Sequence, residues 1–232
     1  MSIDDSAFFF PTVIPRQTPG MKAPTVAHGR ESLVKRQQGD SPSEIFQLGY
    51  LVYVDLSPNF LTGYLPKSNW SSPLKFFDLS SNYFRGSFPS SLGNLTKITH
   101  LGFYSNKLEG EIPDVFGNLN KLTTLVFSYC NFSGQLPPSM INLTQLTSLH
   151  FSSNRLEGPL PIHVTGFQNL MVFSLTDNLQ TGGLPSWLFT LPSLEYLDLS
   201  NNSLTGPINQ IQKPNQFNGF IWRTMKSMVK YC

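Results

Sequence analysis

Four sets of residues have the types and spacing to do chemistry. Asp55 and Asp78 each open the triplet "DLS". If those triplets lie on adjacent strands, the two carboxyls stand at roughly the separation of a glycosidase acid–nucleophile pair. His100 and His150 offer imidazoles for metal ligation or proton transfer. Cys130, in "FSYCNFSG", has only the terminal Cys232 for company, so it reads as a nucleophile, a ligand, half of a disulfide or a small buried side chain. Tyr104 and Tyr129 supply rigid, amphipathic contact area of the kind found in recognition surfaces.

What these groups can do depends on the elements that carry them, and an internal repeat dictates those elements. Aligned on one position, the chain reads "VDLSPNFLTGYLP", "FDLSSNYFRGSFP", "LGFYSNKLEGEIP", "LVFSYCNFSGQLP", "LHFSSNRLEGPLP", "FSLTDNLQTGGLP" and "LDLSNNSLTGPIN". The anchors are Asn59, Asn82, Asn106, Cys130, Asn154, Asn178 and Asn202, spaced 23 and then 24 residues apart. Cys130 thus occupies an asparagine position. An anchor amide there satisfies buried backbone groups at the turn out of the strand, and a cysteine fits the same space as an inert, structural thiol. Each "LxL" reads as a short strand with apolar residues facing inward. "LxGxLP" reads as a glycine turn, and the following Pro plus apolar half-turn as a 3₁₀ or short helical segment. One such coil cannot bury its own apolar face. The predicted fold is therefore an α/β repeat: a solenoid with a concave parallel sheet and a convex side of short 3₁₀, helical or irregular segments. The repeat domain spans 44–213. It follows a non-repeat segment, 1–43, expected to be disordered, and precedes a non-repeat tail, 214–232.

On the concave face the first outward column runs Tyr53, Phe76, His100, Thr124, Ser148, Val172, Tyr196, and the second Asp55, Asp78, Gly102, Val126, His150, Ser174, Asp198. Repeats one, two and seven keep "DLS". The middle four depart from it and place His100, Tyr104, Val126, Tyr129, His150 and Asp177 on adjoining strands, a candidate ligand patch. Repetition accounts for Asp55 and Asp78, which recur as Asp198 on an open face with nothing to exclude water or raise a pKa. His100 and His150 stand two strands apart without a third ligand between them. The chain is expected to be no enzyme and to hold no metal or cofactor.

The bulk numbers agree. Charged residues make up 13% of the chain and the formal charge is +2, which makes no case for nucleic acid. No stretch approaches the ~20 apolar residues of a membrane span, and the N-terminus, with Asp4 and Asp5, lacks a signal-peptide pattern. Five N-x-S/T sequons, at Asn69, Asn94, Asn131, Asn142 and Asn201, would accept glycans in the secretory pathway. In the tail, Arg223, Lys226 and Lys230 have near-helical spacing; a basic membrane-surface helix is one reading, and a disordered or out-of-frame end is the preferred one.

The "LxGxIP" element, here "LTGYLP", "FRGSFP", "LEGEIP", "FSGQLP", "LEGPLP" and "GGLP", resembles the plant-specific extracellular leucine-rich repeat over residues 45–213. The wording of "CNFSGQLPPSMINLTQLTSLHFSSNRLEGPLP" is most similar to Cf-type receptor-like proteins. The resemblance implies a recognition module at the plasma membrane or outside the cell. It would bind an extracellular peptide, protein or glycan and signal through a co-receptor kinase in defence or development. The alternatives it leaves open are a polygalacturonase-inhibitor-like protein and a truncated product without independent function. Paired-cysteine caps, a leader and a membrane helix belong to the family pattern, so the chain is expected to be an internal piece of a longer receptor.

Overall fold

The computed structural model describes residues 38–40, 50–67, 70, 73–206 and 219–220. Each "LxL" opens its repeat as a three-residue strand, giving β2 (Tyr53–Asp55), β4 (Phe76–Asp78), β6 (His100–Gly102), β8 (Thr124–Val126), β10 (Ser148–His150), β12 (Val172–Ser174) and β14 (Tyr196–Asp198). Their pairing is parallel and in one register, with Tyr53, Phe76, His100, Thr124, Ser148, Val172 and Tyr196 directly abreast. The result is the predicted solenoid with its concave parallel sheet.

The glycine segment does more than turn. "LxG" forms a second strand in every repeat, namely β3 (Phe60–Tyr64), β5 (Tyr83–Gly86), β7 (Lys107–Glu111), β9 (Asn131–Gly134), β11 (Arg155–Pro159), β13 (Leu179–Gly183) and β15 (Ser203–Thr205). These stack into a second parallel sheet, which β1 (Gln38–Asp40) extends through β3. At the other end β16 (Gly219–Phe220) extends the concave sheet through β14; both outer strands lie beyond the stretch in which the sequence repeats. In the second-sheet strands one side chain per repeat, such as Leu108 or Phe132, points into the core and is fully buried. The recurrent glycine lies at or near the strand's end at positive φ, 83° at Gly110, where a residue with a Cβ is strained. The 3₁₀ turns Ser90–Asn94, Phe116–Asn118, Pro138–Asn142, Phe167–Asn169 and Ser186–Phe189 complete the coils.

The anchors tie one coil to the next. Asn106 accepts the Phe84 N–H through Oδ1 at 3.0 Å and donates through Nδ2 to the carbonyls of Leu79 at 2.9 Å and Phe103 at 3.1 Å. Asn82, Asn154, Asn178 and Asn202 repeat this pattern, each joining its own repeat to the one before. Asn59 donates to its own repeat's Leu56 carbonyl at 2.9 Å. At Cys130 the thiol donates to the Phe103 carbonyl at 3.3 Å. Burial pushes this thiol up to about 12, which keeps it protonated. Behind the sheets runs an aromatic spine. Phe103, Phe127 and Phe151 meet edge to face at 5.2 and 5.3 Å, all fully buried, an arrangement that adds to the area they bury.

Candidate recognition face

The aspartates of "DLS" finish strands. Asp55 Oδ1 accepts the Ser57 N–H at 3.0 Å and the Ser57 hydroxyl at 2.6 Å. Asp198 does the same with Ser200 at 3.0 and 2.6 Å. Asp78 Oδ1 accepts the Ser80 N–H at 2.7 Å, and each is a local turn of the kind short acidic side chains favour. The other Asp78 oxygen, Oδ2, reaches across to His100 Nε2 at 3.2 Å. It has room to do so because Gly102, directly across the ladder, has no side chain. A Cβ at Gly102 would lie 2.5 Å from the Asp78 carboxyl carbon.

The pair sets the local electrostatics. Burial pushes the Asp78 carboxyl upward, but the His100 hydrogen bond and charge, with the Ser80 contacts, outweigh it and hold Asp78 below the ordinary carboxylate range. Asp55 moves the other way: contrary to the expectation that nothing on this face raises a carboxyl pKa, burial raises it despite its Ser57 hydrogen bonds.

His100 also ends an aromatic stack. Tyr53 and Phe76 lie 4.3 Å apart at 7°, and Phe76 and His100 lie 4.2 Å apart at 8°. The patch expected from the sequence omits Tyr53 and Phe76, although three successive rings in one outward column are a signal for them. The parallel register converts that column into face-to-face contact.

The candidate patch divides into parts. Tyr104 and Tyr129 meet edge to face at 5.2 Å. Val126 and His150 are abreast on neighbouring strands, both half-buried. His100 belongs to the aromatic stack, across from Thr124. Asp177 is exposed and accepts the Asn201 amide at 2.6 Å; Ser153 separates it from Tyr129 along the same column. The residue immediately before each anchor forms a fourth outward column, Ser81, Ser105, Tyr129, Ser153, Asp177 and Asn201, and all six have positive φ, Tyr129 at 57° and Asp177 at 56°. Tyr129 is therefore held out from the sheet by backbone conformation and stays 44% exposed. Around it the floor is flush. Ser128, Ser152 and Ser200 are buried, as is Ser174 of the second column, and the Ser152 and Ser174 hydroxyls lie 2.6 Å apart.

Of the sequons, Asn94, Asn131, Asn142 and Asn201 are exposed. Asn69 lies outside the described residues, as do Cys232 and the basic positions Arg223, Lys226 and Lys230. Among the described residues no helix is long and apolar enough to cross a membrane.

Two parallel sheets, an asparagine ladder and an open concave face define the molecule as a repeat solenoid. Two family models, both described as leucine-rich repeat, match residues 73–95, 97–119 and 121–143 and residues 144–204, together more than half of the chain. The chain belongs to the leucine-rich-repeat family. Within it, the solenoid is similar to the ectodomains of plant receptor kinases. A leucine-rich repeat receptor protein kinase of rice, MSP1, is 37% identical over 68 residues, which are 27% of this chain and 5% of that protein. The ectodomain of the Arabidopsis receptor kinase HAESA, solved with an IDA peptide hormone, superposes with a TM-score of 0.75 at 33% identity, covering 78% of this chain and 31% of that one. HAESA with IDA and the co-receptor SERK1 gives 0.70 at 34%, covering 72% and 28%. The chain therefore spans less than a third of each of these proteins.

Proposed function

We propose that this chain is a recognition segment of a plant cell-surface receptor-like protein of the Cf type, whose concave face binds an extracellular peptide. His100, Tyr104, Val126, Tyr129, His150 and Asp177 form the contact surface, and signalling passes through a co-receptor kinase at the plasma membrane in defence or development. The observation that carries the reading is the edge-to-face Tyr104–Tyr129 pair at the middle of the sheet, in which Tyr129 is exposed and Tyr104 half-buried beside it, among buried serines. Exposed rings with polar tips surrounded by small polar neighbours are the pattern of an interaction hot spot. The likeness to HAESA, solved with a peptide and with SERK1, supports a peptide ligand and a protein co-receptor. Exposed sequons at Asn94, Asn131, Asn142 and Asn201 are consistent with glycosylation on the secretory route.

The test is a display selection of random peptides against the 232-residue chain, followed by affinity measurement with Tyr104→Ala/Tyr129→Ala. Binders to the concave face should lose at least about tenfold in Kd. Undiminished affinity across the selected peptides refutes this assignment of the face.

A further inference from the structure

Repeat five breaks the packing rule of its neighbours. In the 24-residue register the positions Leu92, Phe116, Met140 and Leu188 each sit within a 3₁₀ turn and are buried to 2% exposure or less. The equivalent residue of repeat five is Val164, which is smaller, only partly buried and outside that repeat's 3₁₀ turn, Phe167–Asn169. Gly166 explains the displacement. Its N–H donates to the Ile141 carbonyl at 2.7 Å, and its backbone presses so closely on repeat four that a Cβ there would meet the Asn142 carbonyl carbon at 2.5 Å. The loop is drawn toward the preceding coil, and the place its side chain should fill stays open.

What remains is a cavity of about 230 Å³ between repeats four and six. Its floor is the inward side of the concave sheet, Leu149 and Phe173, and its walls include Met140, Phe167 and Trp187. The wall's indole N–H is already satisfied, donating to the Pro161 carbonyl at 2.7 Å. The described residue with a buried, unpartnered side-chain oxygen, Gln180, is not part of the lining. Besides that indole, Gln135 is the polar side chain in the lining; the rest is apolar, which gives water few partners and favours an apolar guest. Pro137, Pro138, Pro159 and Pro161 frame it, and their fixed φ resists collapse of the walls. Ile162, 76% exposed, marks the mouth.

We propose that this cavity is a binding site for a small, uncharged, apolar molecule, separate from the concave face. By proportion with an engineered core cavity of ~150 Å³ that takes up benzene, it accommodates a guest somewhat larger than benzene. The lining, reaching down to core residues through a proline frame, suits a compact ring and gives a flat protein surface no access to Leu149 or Phe173.

Ethylbenzene is the probe. Added to the full chain, it should raise Tm logarithmically with concentration, by about 2–4 °C at roughly five times Kd. Leu160→Phe, which places a ring in the cavity, should abolish the response. Ile162→Asp alters an exposed side chain at the mouth, leaves the fold intact, and should weaken the response at least about fivefold by setting a carboxylate against the guest. Tyr104→Ala/Tyr129→Ala should respond as the wild type does. Absence of a rise in the wild-type chain, or an equal rise in Ile162→Asp, overturns the proposal, whether or not Leu160→Phe folds.

Discussion

Cys130 shows how one atom changes a repeated contact. At the other interior anchors an amide both donates across the repeat boundary and accepts an N–H from the coil before it. A thiol keeps a weak donor to Phe103 but accepts poorly. Cys130→Asn should therefore raise stability by about 1 kcal/mol, seen as a higher urea midpoint at unchanged m; an unchanged or lower midpoint would contradict the ladder. Because burial holds the thiol at about 12, iodoacetamide at pH 8 should leave Cys130 unmodified until the chain unfolds. Asp78 carries the pH dependence. Its folded pKa is depressed, so its stabilisation is complete above the unfolded carboxylate value, 3.8, and is lost as pH falls through the lower folded value. Asp78→Asn should cost about 1–3 kcal/mol at pH 7, and the gap to wild type should close only below pH 3.8. A gap that closes well above pH 3.8 would contradict a depressed Asp78 pKa. Asp55, with its raised pKa, acts in the opposite sense, its ionised form disfavoured by folding.

At the scale of elements, the second sheet contains its own exception. Leucine or phenylalanine fills the inward position of β5, β7, β9, β11 and β15, but β13 places Gln180 there, fully buried, with Oε1 lacking a partner among the described residues. Its Nε2 gains only a 3.3 Å contact to the Glu157 carbonyl. Gln180→Leu restores the pattern and should stabilise by about 1–2 kcal/mol in chemical denaturation; destabilisation would show that the amide is better satisfied than the geometry allows. Gly166→Ala should do the reverse. Its new methyl meets backbone, not a flexible side-chain end, and the loss should be at least about 2 kcal/mol.

For the whole molecule, nearest-neighbour stacking makes the solenoid additive. Every pairing between the seven repeats of the concave sheet joins consecutive repeats, so stability grows with the number of interfaces. Excising one register step, residues 123–146, rejoins equivalent positions. The shortened chain should keep the parent's circular dichroism per residue while its urea m-value falls in proportion to length. A collapsed spectrum would mean that the repeats are not interchangeable. Tyr129 ties this scale to recognition: the ladder's geometry imposes positive φ on the fourth column, and there a tyrosine is conformationally costly. Ser81, Ser105 and Ser153 bear the same positive φ, so what distinguishes this repeat is the exposed ring itself.

The repeat spacing alone determined the solenoid, the concave sheet, the inward leucines and phenylalanines and the anchor positions. A side chain's direction in a strand follows from parity, and parity repeats with the register. It also dismissed the carboxylate pair, since Asp55 and Asp78 recur as a strand-ending formula. The second sheet was not legible, because three to five residues at or beside a glycine are too short to show alternation. Contacts across repeats were decided by tertiary structure: the Tyr53–Phe76–His100 stack, the reach of Asp78 over Gly102, and the cavity left where Gly166 draws repeat five onto repeat four. Each depends on distances between residues about one register step apart, and a linear sequence records their order without the few ångströms that decide whether they touch.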